Sequence, residues 1–279
     1  MNSYAYYNGK FGKTDEITIP LSDRSIYFAD AIYDAAIGVY DRILWEDEHI
    51  DRFMSNARRI GIHPTFDKKY LSALLREIAI KSMIESYFLY FQISRDLPMR
   101  THSAAKSENN LLITVTPIEI KRTHNPLRMM TTEDKRHGYC DIKTTNLLPA
   151  VLASTKAEAI GCDEAIFVRK GIVTECAKSN ISILKQGRVI THPKNNRILP
   201  GITREHLRAA CSEYGIEFCE ERFTLKELFS ADEILITGTS KLCRTVGEIN
   251  GIPVGGKDSK MADLLCDFIF NEYAALRAI

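Results

Sequence analysis

Apolar residues recur at intervals of three and four through Ile50, Phe53, Ala57 and Ile60, and Gly61 and Pro64 end the run. This period predicts an amphipathic helix over residues 48–62. Residues 67–85 repeat the pattern with Leu71, Leu74, Leu75, Ile78 and Met83. Shorter apolar or alternating runs predict strands at 4–9, 17–20, 33–40, 43–45, 87–93 and 111–118. Asn8-Gly9 and Asp41-Arg42 read as hairpin turns, and the polar stretch 97–110 reads as a loop.

Beyond Pro126 the pattern resumes, with strands expected at 127–131, 164–169, 181–185, 189–191, 217–221 and 233–237. Helices are expected at 150–160, 203–213 and 261–276. The polar run ending at Pro126 marks a boundary. The expected organisation is a small α+β domain over 1–120, an interdomain linker over 121–131 and a larger domain over 132–279. Strands and helices interleave throughout, so the fold class is α+β with two domains.

Composition narrows the function. The 37 basic and 36 acidic residues nearly cancel, which gives no reason to expect a nucleic-acid or membrane partner. Seven scattered cysteines include no C-x-x-C pair, so a zinc or thiol-redox site is not expected and the thiols read as reduced. No stretch approaches the ~18 apolar residues that span a bilayer. The opening residues carry no basic segment followed by an apolar run, so a cytoplasmic protein is expected.

Three places could take an anion. Leu199-Pro200-Gly201-Ile202-Thr203 precedes a helix whose first amides and dipole suit a phosphate, although an ordinary helix start capped by Thr203 has the same sequence. Thr237-Gly238-Thr239-Ser240 follows an apolar strand, where hydroxyls and a glycine suit phosphate oxygens or a plain turn. Arg52 could grip a phosphate with its planar fork, or face water. Lys143, in Cys140-Asp141-Ile142-Lys143-Thr144-Thr145-Asn146, follows an apolar residue and could be a nucleophilic amine.

Taken in order, five blocks resemble the fold-type IV pyridoxal-phosphate enzymes, most closely the D-amino acid transaminases. They are Glu48-His49-Ile50-Asp51-Arg52; Cys140-Asp141-Ile142-Lys143 with Asn146-Leu147-Leu148; Val173-Thr174-Glu175 with Ser179-Asn180; Gly201-Ile202-Thr203-Arg204; and Thr237-Gly238-Thr239. The resemblance implies a small N-terminal and a larger C-terminal domain with pyridoxal 5'-phosphate between them. It implies that Lys143 forms the Schiff base and moves the proton at the substrate Cα. Glu175 would face the pyridine nitrogen, and Leu199 would pack on the ring. Arg52, the amides of Ile202 and Thr203, and the hydroxyls of Thr203 and Thr239 would hold the phosphate, with Gly238 beside them.

The subgroup is carried by Arg100-Thr101-His102. By the resemblance Arg100 and His102 bind the substrate α-carboxylate with help from Tyr33, the arginine and histidine reaching across from a neighbouring subunit and so implying a homodimer. A solvated basic loop is the plain alternative. Asp34 stands where a glutamate is usual, Lys178 where a serine is, and Gly238 where a serine often lends a hydroxyl; Lys178 is therefore a candidate for substrate preference. The expected activity is transamination of D-alanine or D-glutamate with a 2-oxo acid acceptor. The alternatives are a branched-chain L-amino acid or (R)-amine aminotransferase of the same fold, or an aminodeoxychorismate lyase.

Overall fold

The computed structural model describes residues 3–104 and 107–278. Two compact units divide them: the described residues of Met1–Ile120, Ile142–Asn146 and Leu276–Ile279, and Lys121–Asp141 with Leu147–Ala275. Among the described residues, no helix is long and apolar enough to cross a membrane.

The first unit contains β1 (Tyr4–Tyr7), β2 (Lys10–Lys13), α1 (Ser25–Phe28), β3 (Ala31–Val39), β4 (Arg42–Ile43), α2 (Glu46–Arg59), α3 (Lys68–Ser82), β5 (Ser86–Asp96) and β6 (Glu108–Pro117). The turn between β1 and β2 is Asn8-Gly9, both with positive φ, as an Asn-Gly hairpin requires. The strands form one sheet in the order β2-β1-β6-β5-β3-β4. Ile50, Phe53 and Ala57 of α2 and Leu71, Leu75 and Ile78 of α3 share a buried cluster with Leu89, Phe91 and Ile113 of the sheet. The apolar faces read from the helical period are the faces that bury, except at Met83, which caps the end of α3 and is 86% exposed. Residues 17–20, expected as a strand, have no regular secondary structure. Two residues of the expected 97–110 loop, 105 and 106, lie outside the described residues.

β3 has an unpaired edge at its start, because β4 pairs only with Gly38 and Val39. The segment 142–146 occupies that edge. Tyr33 donates its N–H to the Lys143 carbonyl at 2.9 Å and Thr145 donates to the Ala31 carbonyl at 3.2 Å. Ile142 joins the same buried cluster. The stretch that carries Lys143 thus belongs to the first unit, although its sequence position lies within the expected larger domain.

The second unit contains β7 (Leu127–Glu133), α4 (Leu148–Ala159), β8 (Glu164–Arg169), β9 (Ile172–Cys176), β10 (Asn180–Lys185), β11 (Arg188–Thr191), α5 (Ile202–Glu213), β12 (Glu217–Glu220), α6 (Leu225–Ser230), β13 (Glu233–Gly238), β14 (Leu242–Ile249), β15 (Ile252–Pro253) and α7 (Ser259–Ala274). The expected 121–131 linker overlaps β7, which pairs in parallel with both β14 and β8. The sheet runs β12-β11-β10-β13-β14-β7-β8-β9, with β15 on β14. Its inner residues, Ile181, Ile183, Ile234, Ile236, Val246 and Ile249 among them, form a second buried cluster.

Candidate active site

The first unit brings together Lys143, Tyr33 and Arg52. Because the 142–146 segment lies against β3, the Lys143 amine comes 4.5 Å from the centroid of the Tyr33 ring. Tyr33 stacks on Tyr90, centroids 5.1 Å apart, which fixes its plane. Arg52 leaves α2 toward Asp34 of β3, a fully buried carboxylate. Asp34 accepts from Arg52 Nε and one terminal nitrogen, each at 2.8 Å. His49, one turn before Arg52 on α2, meets the same carboxylate through Nδ1 at 2.8 Å.

The electrostatics follow from burial and charge together. Burial alone would raise the Asp34 carboxyl, but Arg52 and then His49 outweigh it and hold the group well below the usual carboxylate range. His49 moves down, because burial and the charges of Arg52 and Lys143 outweigh Asp34. Asp34 is therefore an ionised acceptor and His49 a neutral donor through Nδ1. A bidentate carboxylate sets the orientation of the Arg52 fork.

Arg100 and His102 lie in the loop after β5, and both are exposed. They gather around one ring. The Arg100 guanidinium is 5.0 Å from the Phe28 centroid, and the His102 ring is 5.4 Å from it.

In the second unit Glu175 ends up nearly buried at the end of β9. One oxygen pairs with Arg136. The other accepts from Asn180 Nδ2 at 2.8 Å and from the Leu199 N–H at 3.1 Å. Arg136 is itself pinned by Asp134 at 2.9 Å and lies 4.4 Å over the Phe167 ring. Burial would lower the Arg136 guanidinium, but Glu175 and Asp134 reverse that and raise it, so the arginine is a fixed positive charge on the far side of Glu175.

The helix α5 starts at Gly201, with Ile202 and Thr203 in its first turn and no side-chain cap on their amides. Thr203 is thus not the N-cap that the plainer reading of its sequence expected. A Cβ on Gly201 would fall 2.0 Å from Asn180 Oδ1, so the glycine is what lets the 199–201 backbone pass Asn180. Gly238 ends β13, where a Cβ would meet Ser179 at 3.2 Å, and Thr239 follows it. The Thr237 hydroxyl is buried with no hydrogen-bond partner among the described residues. Lys178 donates its N–H to the buried Glu164 at 2.6 Å, while the residue as a whole is exposed.

The sequence model described as Amino-transferase class IV matches residues 33–249. The chain belongs to the class IV aminotransferases. That span begins at Tyr33 and encloses Arg52, Lys143, Glu175, the start of α5 and Thr239. The D-alanine aminotransferase of Bacillus licheniformis is 34% identical over 253 residues, covering 89% of each chain. That of Staphylococcus haemolyticus is 34% identical over 279 residues, covering 98% of each. Among solved structures, a branched-chain aminotransferase from Thermoproteus uzoniensis with norvaline superposes with a TM-score of 0.87 at 21% identity, covering 98% of this chain and 96% of that one. This last likeness is one of fold.

Class IV aminotransferases are pyridoxal-phosphate enzymes, and the residues here fit the group. Uncapped amides behind a glycine with no room for a Cβ, and a buried hydroxyl without a partner, suit a phosphate ester. A primary amine on an edge segment of the sheet suits an aldehyde. Sequence reasoning missed Arg136 and the Asp34 contact to Arg52. The i, i+3 spacing of His49 and Arg52 on one helix face was an available sign of a shared partner; Arg136 carried no local sign.

Proposed function

We propose that this class IV aminotransferase transfers the amino group of D-amino acids, of the D-alanine and D-glutamate kind, to a 2-oxo acid. The observation that carries the reading is whole-length identity of 34% with a D-alanine aminotransferase, in a chain that holds Arg100 and His102 around a common ring. When bound, pyridoxal phosphate supplies an aldehyde that accepts the amino group and a ring that takes up the electrons left at Cα. Lys143 Nζ would hold the group through its aldehyde and would move the proton at the substrate Cα. Glu175, held by Arg136 and Asn180, would keep a proton at the ring nitrogen. Arg52, the amides of Ile202 and Thr203, and the hydroxyls of Thr203 and Thr239 would hold the phosphate, with Gly238 leaving it room, and Leu199 would pack against the ring.

Tyr33, Arg100 and His102 bind the substrate α-carboxylate, a fork and two single donors for one anion. Lys178 contributes to side-chain preference. A homodimer in the cytoplasm is part of the same reading, and the seven free thiols support a reducing compartment.

The test is a half-reaction. D-alanine, L-alanine and L-leucine are added separately to the yellow holoenzyme while its visible band and the released oxo acid are followed. D-alanine alone should bleach the band and release pyruvate in proportion to sites, and the Lys143→Ala variant should do neither. Bleaching by L-leucine and not by D-alanine would sink the D-amino acid reading.

A further inference from the structure

The loop bearing Arg100 and His102 is tied to a buried arginine at the start of α1. Arg24 is 4% exposed, and its N–H bonds the Arg95 carbonyl at 2.9 Å. Its neighbour Asp23, 1% exposed, collects Tyr7 Oη, Ser94 Oγ and Asn110 Nδ2 at 2.9, 2.9 and 3.1 Å, so the backbone there is fixed to the sheet. The Arg24 side chain uses all three nitrogens. Nε bonds Asp30 at 2.8 Å, one terminal nitrogen bonds the Thr101 carbonyl, and the other bonds the His102 carbonyl at 3.0 Å. Its face lies 4.4 Å from the Phe28 centroid. Phe28 is thus a ring shared by Arg24, Arg100 and His102.

We propose that Arg24 and Phe28 are positioning residues for substrate-carboxylate binding: Arg24 holds the 101–102 backbone, and Phe28 aims the Arg100 and His102 side chains. The inference rests on reading those two side chains as the carboxylate site. Its physical basis is preorganisation. Both are exposed and long or rotatable, and left free they would have to be ordered each time a substrate binds. A rigid, buried fork with two backbone carbonyls as partners removes most of that cost beforehand. Neither Arg24 nor Phe28 needs to touch the substrate.

The experiment compares Phe28→Leu and Arg24→Lys with Arg100→Ala in the holoenzyme. Phe28 is half-buried and leucine keeps an apolar group there, so this variant decides the matter even if Arg24→Lys does not fold. Four quantities are measured: KM and kcat for D-alanine, Kd for propionate from the visible spectrum, and Kd of the apoprotein for pyridoxal phosphate from fluorescence quenching. In both variants KM and the propionate Kd should rise roughly fivefold or more, with kcat and the cofactor Kd within about twofold of wild type. If Arg100→Ala raises KM but Phe28→Leu leaves KM and the propionate Kd unchanged, the positioning role is overturned and the carboxylate site stands. A parallel loss of cofactor affinity would also overturn it, since that marks a general structural role. If Arg100→Ala itself leaves KM unchanged, the carboxylate site falls and the inference with it.

Discussion

At the scale of single residues, His49 has a consequence outside catalysis. It is nearly buried and neutral, donating to an ionised Asp34 that Arg52 also grips. Its folded pKa lies below the ordinary value of 6.5. As pH falls below that value the unfolded chain therefore takes up a proton that the folded chain refuses, and stability is lost on the acid side. Asp34, also depressed, acts at lower pH: its contribution is full above the ordinary carboxylate range and is lost as pH falls through the folded value. His49→Asn keeps a donor near the Nδ1 position and removes the titration. Urea midpoints at about pH 7.5, 6.5 and 5.5 should fall with acid in the wild type and change less in the variant, which starts from a lower stability. Equal slopes would contradict the assignment. The sequence marked Asp34 only as an unusual residue for its place. Its two partners on α2 became visible when β3 and that helix packed together.

Among the elements, α5 shows most clearly how local sequence and tertiary contact combine. The period of three and four placed a helix at 203–213, and the structure has Ile202–Glu213. The start was ambiguous because Thr203 is a good cap, yet Gly201 takes that position. The reason lies in Asn180, on β10, which fills the space a side chain would need and bonds both Glu175 and the Leu199 carbonyl, at 2.8 and 2.9 Å. Gly201→Ala should push Asn180 away from Glu175 and shift the first amides of α5. The Kd for pyridoxal phosphate should then rise by about tenfold, corresponding to ~1.4 kcal/mol, and fluorescence titration of the apoprotein measures it. Unchanged affinity would show that Asn180 moves without consequence. Other elements were less legible. The helix α6 opens with a capping box of Thr224 and Glu227, a spacing that was there to be read. The run 17–20 alternates like a strand but pairs with no strand among the described residues.

For the whole molecule the outstanding question is assembly. The helix α4 exposes Leu148, Val151 and Leu152 at 67, 53 and 62%, three apolar side chains on one face at i, i+3 and i+4. Such a ridge is apolar area that self-association can remove from water. The proposed homodimer should sediment at equilibrium with twice the 31.6 kDa chain mass, with or without bound cofactor. A single-chain mass across the micromolar range would refute it.

By itself the sequence determined the amphipathic helices, most strands of both sheets and the family, because these depend on residue type at fixed short spacings. A helix face needs only its own period. A cofactor site keeps its functional groups in order even when much of the chain between them varies. Tertiary structure alone decided which distant groups meet. Segment 142–146 joined β3 and carried Lys143 to Tyr33. Arg136 found Glu175 across 39 positions, and Arg24 found His102 across 78. A long polar side chain bonds whatever acceptor the packing of remote strands brings within reach, and no local pattern encodes that reach.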